Sequence, residues 1–202
     1  MITELDVNRW ILRYLSVNFR VLQNDEISVT EACSVCLRKA YYGRTRTSKP
    51  TPIEFIKVVG NDVHAMLQGV LQNDGWDTEV SISLPLRDFI LVGRVDAVRD
   101  GEILEFKTAE EVPERPYRSH ELQVQAYMNI VHAKRGYLIY LSRTTGKVKV
   151  FAVRPDKQAL RQVVERARKL YDALKNSTPP EPRRGPWCRT CQYVENCRRW
   201  GR

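Results

Sequence analysis

Residues 91–108, LVGRVDAVRDGEILEFKT, decide the fold. Asp100-Gly101 is the preferred chemistry for a two-residue turn of a β-hairpin, and it stands between two strand-like runs. The turn sets a register: Arg99 opposite Glu102, Val98 opposite Ile103, Ala97 opposite Leu104, Asp96 opposite Glu105 and Arg94 opposite Lys107. Two carboxylates then face each other across the hairpin at a Cβ separation of about 5 Å, where like charges repel. A cation between them resolves the repulsion. Val95, Ala97, Leu104 and Phe106 form the other face, suited to packing on a helix, so the acidic face is expected to be the open one. Oxygen ligands suit Mg or Mn, and Lys107 shares a strand face with Glu105 because side chains alternate with period two. The set is hydrolytic: an ion to polarise a phosphate and acidify water, Lys107 to orient that water or stabilise developing charge, and Arg94 as a phosphate contact.

Working outward, the apolar spacing of Val7, Trp10, Ile11, Tyr14, Leu15 and Val17 predicts an N-terminal helix within the first 25 residues. Thr30 is expected to cap a second helix carrying Ala32, Cys36, Leu37 and Ala40, and a third helix spans 52–74. Strands follow near 78–84, 89–99 and 102–108, then a helix near 118–134, strands near 136–142 and 147–153, and a basic helix over 155–175. The order, αααβββαββα, is that of an α/β fold. His64 lies on the third helix with Gly60, Leu67, Gln68 and Leu71 on one face, a further candidate metal ligand. Gln123 and Tyr127, four apart, project from one face of the later helix, with His120 one turn before.

A chain of 202 residues is one domain, or one with a small appendage. It is 43% hydrophobic with no apolar run near 18 residues, which excludes disorder and a membrane-spanning helix. Glu4, Asp6 and Arg9 do not suit a secretory signal, so a cytoplasmic location is expected. The 33 Lys and Arg exceed the 24 Asp and Glu, a formal charge of +9 that favours phosphate-rich partners and nucleic acid first. Arg183, Arg184, Arg189, Arg198, Arg199 and Arg202 crowd the tail, and Arg38, Lys39, Arg44, Arg46 and Lys49 form a second group.

Five cysteines, an odd number, argue against a complete disulfide framework. Cys188, Cys191 and Cys197 follow the spacing C-x2-C-x5-C and point to metal ligation. A fourth ligand must come from Cys33 or Cys36, so the first and last thirds of the chain meet. Cys36 is preferred, because the basic, aromatic helical stretch Leu37-Arg38-Lys39-Ala40-Tyr41-Tyr42 follows it. Four thiolates suit zinc or an iron-sulfur cluster, and spacing does not separate them.

Together these motifs resemble the RecB-like branch of the PD-(D/E)xK nucleases: a His on an early helix, Gly93-Arg94-Val95-Asp96, Glu105-Phe106-Lys107 and Gln123-x3-Tyr127, in that order. The cysteines, with Cys36-x-Arg38-x2-Tyr41-Tyr42 ahead of the core and three thiols after it, look like the CRISPR-associated Cas-four proteins, whose first ligand cysteine is commonly followed by Pro where Leu37 stands here. The resemblance implies a restriction-endonuclease-like core with a mixed sheet flanked by helices and an iron-sulfur tail. It makes His64, Asp96, Glu105 and the carbonyl of Phe106 metal ligands and Lys107 catalytic, and has Gln123 and Tyr127 orient the site and DNA. Cys36, Cys188, Cys191 and Cys197 then hold a 2Fe-2S or 4Fe-4S cluster. It further implies a Mg- or Mn-dependent exonuclease on single-stranded DNA, trimming spacers beside the Cas integrase. The expected organisation is a helical extension over 1–27, a nuclease core over 28–178 and a cysteine-rich tail over 179–202, held to Cys36, with Trp187, Tyr193 or Trp200 available to stack bases. The competing reading is a non-catalytic DNA-binding module stabilised by zinc or a cluster, in which Asp96, Glu105 and Lys107 are surface charges.

Overall fold

In the computed structural model, which describes residues 22–45 and 64–199, the hairpin lies inside a six-stranded sheet. Its strands are β1 (Glu26–Ser28), β2 (Asp77–Pro85), β3 (Ile90–Arg99), β4 (Glu102–Ala109), β5 (Arg135–Ser142) and β6 (Val148–Val153). The mixed sheet flanked by helices is the α/β architecture expected. Asp100 and Gly101 both have positive φ, 49° and 78°, as the two-residue hairpin turn requires.

One edge of β3 is taken along nearly its whole length by β2, antiparallel from Asp77 opposite Val98 to Pro85 opposite Ile90. The other edge is shared. β4 pairs there only at Ala97–Leu104, Val98–Ile103 and Arg99–Glu102, and β1 pairs parallel at residues 90–92. Residues 93–96 of β3 therefore lack a strand partner on that side. Beyond Leu104, β4 turns its pairing wholly to β5, parallel from Glu102 opposite Arg135 to Ala109 opposite Ser142. β3 and β4 splay apart into a wedge, and the sequence's extension of the register to Asp96–Glu105 and Arg94–Lys107 is corrected.

The helices are α1 (Val29–Cys33), α2 (Leu37–Thr45), α3 (described over 64–73), α4 (Arg118–Val131), α5 (Lys157–Lys175) and α6 (Val194–Arg199), with a 3-10 turn at Pro186–Thr190. None of the described helices is long and apolar enough to cross a membrane. The cap of α1 is Ser28 and not Thr30: the Ser28 hydroxyl accepts from the Glu31 N–H while the Glu31 carboxylate accepts from the Ser28 N–H, a reciprocal capping box. The expected second helix breaks after Cys33 and restarts at Leu37, leaving Cys36 outside both segments. β1 is a strand the sequence reading lacks. The N-terminal helix, and the part of the third helix before residue 64, fall outside the described residues.

Two apolar clusters sandwich the sheet. The larger joins α1, α2, α4 and α5 to the sheet through Ile27, Leu91, Val95, Ile103, Val124, Met128, Leu138 and Leu170. The smaller sets Ala97, Leu104 and Phe106 against Leu67 and Leu71 of α3, with Trp76 beside them. Val95 thus belongs to one cluster and Ala97 to the other, so the facing of β3 changes over at Asp96, and the expected single apolar face is corrected. α5 carries apolar residues at 159, 163, 167 and 170, the helical period, and starts where the Asp156 carboxylate accepts from Gln158 N–H at 2.8 Å. Two glycines let α4 lie close to the sheet. A Cβ at Gly136 would meet Met128 Sδ and Val124 Cγ1 at 2.7 Å, and one at Gly93 would stand 2.6 Å from the Tyr127 ring.

Candidate active site

The open wedge collects the chemistry of the hairpin. Where the β3–β4 ladder stops, the Asp96 carboxylate replaces it: Oδ2 accepts from the Phe106 N–H at 2.7 Å. An N–H and C=O of one strand residue point to the same edge, so the Phe106 carbonyl also looks into the wedge. Glu105 and Lys107 extend from β4 toward α4, and Glu105 is 2% exposed. The acidic face is covered, which corrects the expectation of an open one and the competing picture of surface charges. Arg94 is not opposite Lys107 either; it is exposed and forms an ion pair with Glu79, whose Oε1 also accepts from Gln68 Nε2 at 2.5 Å.

Glu105 Oε1 accepts from Lys107 Nζ at 2.6 Å and from Gln123 Nε2 at 2.7 Å. The same Gln123 nitrogen lies 3.1 Å from the Tyr127 hydroxyl, which also bonds the Thr30 side chain. Gln123 and Tyr127, alike to many helical pairs in sequence, act here as one brace for Glu105. Thr30 is the residue the sequence reading places wrongly: it is exposed and reaches the brace instead of capping a helix. Glu105 Oε2 is buried and has no hydrogen-bond partner. A buried acceptor left bare is costly, and a buried carboxylate oxygen doubly so.

His64, the first described residue of α3, approaches from the other side, Nδ1 3.5 Å from Asp96 Oδ1, with its ring edge-on to Phe106 at 6.1 Å. Hence Asp96, Glu105, Phe106, Lys107, Gln123, Tyr127 and His64 all come to one place. As they stand, no three His, Cys, Asp or Glu side chains among the described residues are grouped to hold an ion. The donors that could hold one are Glu105 Oε2, Asp96 Oδ1 and the Phe106 carbonyl, with the His64 ring beside them, a largely oxygen set that suits Mg or Mn.

Electrostatics follow from burial. Loss of solvent pushes the Glu105 carboxyl up to about 7 despite the attraction of Lys107, and the nearby Asp96 charge pushes the same way. For Lys107 burial works downward, but the charge and hydrogen bond of Glu105 outweigh it and its pKa is raised. His64 is also raised: burial lowers it, and the hydrogen bond and charge of Asp96 more than reverse that. His120 stands apart from the carboxylates, with Nδ1 2.8 Å from the Tyr140 hydroxyl; burial, aided by the Lys107 charge, drives it down to about 4.

A second constellation lies in the tail. Cys36, Cys188, Cys191 and Cys197 all line one cavity of about 310 Å³. Cys33 does not: it sits in the main core, its thiol pushed up to about 12 by burial. Tyr42 of α2 packs on Tyr193 at 5.9 Å and its hydroxyl reaches the Asn196 carbonyl, fastening the tail to the start of the chain. Tyr193 is buried and unavailable for stacking bases, a correction; Trp187, 37% exposed with Arg183 over its ring, remains open, and Trp200 falls outside the described residues.

Comparison with known proteins agrees with this architecture. Residues 71–198 match the family model of the PD-(D/E)XK nuclease superfamily. The fold resembles the crystal structure of SSO0001, with a TM-score of 0.73 at 24% identity over 96% of this chain and 94% of that one. It also resembles LHK-Exo, an alkaline exonuclease from Laribacter hongkongensis, with a TM-score of 0.52 at 12% identity over 84% of this chain and 93% of that one. LHK-Exo in complex with dAMP gives 0.53 at 12% identity, over 75% and 88% of the two chains. No curated protein matches.

Proposed function

We propose, because the chain belongs to the PD-(D/E)XK nuclease superfamily, that it is a Mg- or Mn-dependent exonuclease acting on single-stranded DNA, with an iron-sulfur cluster as a structural staple. The observation that carries the nuclease reading is Glu105 Oε2, a buried carboxylate oxygen without a partner at the mouth of the β3–β4 wedge. Asp96, Glu105 and the Phe106 carbonyl would hold the ion, with His64 completing the set. When bound, such an ion polarises a phosphoryl oxygen and lowers the pKa of a water. Lys107, anchored on Glu105 Oε1, directs its ammonium at the attacking water and at charge growing on the phosphate. Gln123 keeps Glu105 in one rotamer, and Tyr127 with Thr30 keeps Gln123 in place.

The cluster reading rests on four thiols around one cavity. Four thiolates suit zinc and an iron-sulfur cluster alike, and the likeness of the cysteine pattern to that of the iron-sulfur nucleases favours the cluster. Residues 28–178 act as the nuclease core and 179–202 as the cluster-binding tail. The Cys36-x-Arg38-x2-Tyr41-Tyr42 motif supports a cytoplasmic role in trimming DNA for CRISPR spacer acquisition, beside the Cas integrase. The +9 charge and the exposed Trp187 beside Arg183 favour a single-stranded nucleic acid, whose bases can stack.

End-labelled single-stranded DNA incubated with anaerobically purified protein and Mn²⁺ should shorten progressively from one end, duplex DNA should resist, and EDTA should stop the reaction. Intact single strands after incubation with metal-loaded, folded protein would refute the proposal.

A further inference from the structure

Arg38 is 4% exposed, and its contacts among the described residues are the Pro180 carbonyl, 2.5 Å from Nε, and Cys197 Sγ, 3.9 Å from Nη1. A guanidinium stays charged at any working pH, and a buried charge without an opposite charge is strongly disfavoured. Two less deeply placed cations, Lys107 and Arg44, have carboxylate partners in Glu105 and Glu31, while the half-buried Arg166 bonds the carbonyls of Ala32 and Ser34; Arg38 is more deeply buried than any of these. Among the described residues Arg38 has a carbonyl and a sulfur as partners. The wall it belongs to is unusual in the same sense. Among the described residues the cavity is lined by six Arg and Lys residues, Arg38, Lys39, Arg183, Arg184, Arg189 and Arg198, and by no Asp or Glu, although Arg198 pairs with Glu195 beyond the lining. A wall of this composition favours an anionic occupant, to which the four cysteines can contribute thiolate ligands.

We infer that Arg38 is the buried counter-charge of a thiolate-ligated cluster in this cavity and sets its reduction potential; this rests on the cluster reading given above. With four thiolates, a 2Fe-2S or a 4Fe-4S core in its usual oxidised form carries a total charge of about −2, and of about −3 after one electron arrives from a reductant such as dithionite, with no ligand bond broken. A nearby guanidinium stabilises the more negative form more, and its N–H···S bond withdraws charge from Cys197. Through Nε the same group ties the cavity to Pro180, where the chain leaves α5 for the tail.

The test is a dithionite titration of the full-length, anaerobically reconstituted protein, followed by the electron paramagnetic resonance of the reduced cluster, for wild type, Arg38→Gln and Arg38→Lys. Arg38→Gln should lower the reduced-to-oxidised ratio about tenfold at a fixed potential, about 59 mV for a one-electron couple. Arg38→Lys, which keeps the charge and loses the fork to Pro180, should stay within about threefold of wild type. Equal shifts in both variants would mark a packing role and overturn the proposal, as would no shift in Arg38→Gln at full iron content. If Arg38→Gln fails to hold iron, Arg38→Lys decides alone: retained iron and potential support the proposal, and loss of either refutes it. A wild-type chain that binds no iron and sulfide overturns the cluster reading itself, a failure visible before any variant is made.

Discussion

Lys107→Met is expected to fold, to bind Mn²⁺, and to hydrolyse single-stranded DNA at least about 10²–10³-fold more slowly than the natural chain, the cost of losing one preorganised donor to a developing anion. The side chain to be replaced is half-buried and pairs with the fully buried Glu105, its ammonium 2.6 Å from Oε1. Methionine fills similar space. Glu105 keeps its bond from Gln123 and, already pushed up to about 7 by burial, takes a proton when the ammonium is gone and no metal is bound, which avoids an unpaired buried charge. Stability should therefore change by no more than about 1–2 kcal/mol. Asp96→Asn makes the complementary test, since its amide oxygen still accepts from Phe106 N–H while the anionic charge is removed. It should lose activity by a similar factor and manganese affinity as well. Single-turnover digestion read against unfolding curves separates these effects, and either variant cutting within threefold of wild type would contradict the assigned roles.

Cys191→Ser should abolish binding of the proposed iron-sulfur cluster and cost about 3–5 kcal/mol of stability, with loss of solubility before loss of the nuclease site's own geometry. The proposed metal-thiolate bonds from Cys36 to the tail would close a loop of about 150 residues, and the cross-link analogy assigns such a closure several kcal/mol. Without it the tail is held by thinner contacts: the Tyr42–Tyr193 packing, the bond from Tyr42 to the Asn196 carbonyl and the Arg38 link to Pro180. Cys33→Ser should behave otherwise. That thiol belongs to the apolar core, so iron and sulfide content should stay at the wild-type level while stability falls through burial of a hydroxyl. Iron and sulfide analysis with thermal unfolding of both variants checks the pair, and loss of the cluster from Cys33→Ser would reverse the ligand assignment.

The hairpin is legible in sequence because Asp-Gly is turn chemistry with a mechanism, and three rungs of its register follow from it: Arg99–Glu102, Val98–Ile103 and Ala97–Leu104. The next rung is not legible. Period-two reasoning assumes an unbroken ladder, whereas the Asp96 side chain takes the Phe106 N–H and β4 gives its remaining pairing to β5. That departure is what makes a wedge instead of a flat, self-repelling hairpin. Glu105 reads as exposed for a related reason: nothing in the local pattern says that α4 lies across it, a placement that depends on Gly93 and Gly136 admitting the helix. Ser28 carries a readable capping signature in its spacing to Glu31, and assigning the cap to Thr30 hides both the true helix start and the bond from Thr30 to Tyr127. β1, at three residues, is too short for any periodicity to announce it. Parity and spacing leave Cys33 and Cys36 open, and the cavity that Cys36 shares with the three tail cysteines, like the buried positions of Arg38 and Tyr193, emerges only once the two ends of the chain are packed together.

The most direct measurement is an anomalous difference map at the manganese absorption edge from crystals grown with MnCl₂. A peak is expected in the β3–β4 wedge with oxygen ligands at roughly 2.0–2.6 Å, supplied by Asp96, Glu105 Oε2 and the Phe106 carbonyl. A map with manganese bound elsewhere and Glu105 Oε2 still without a ligand would contradict that expectation.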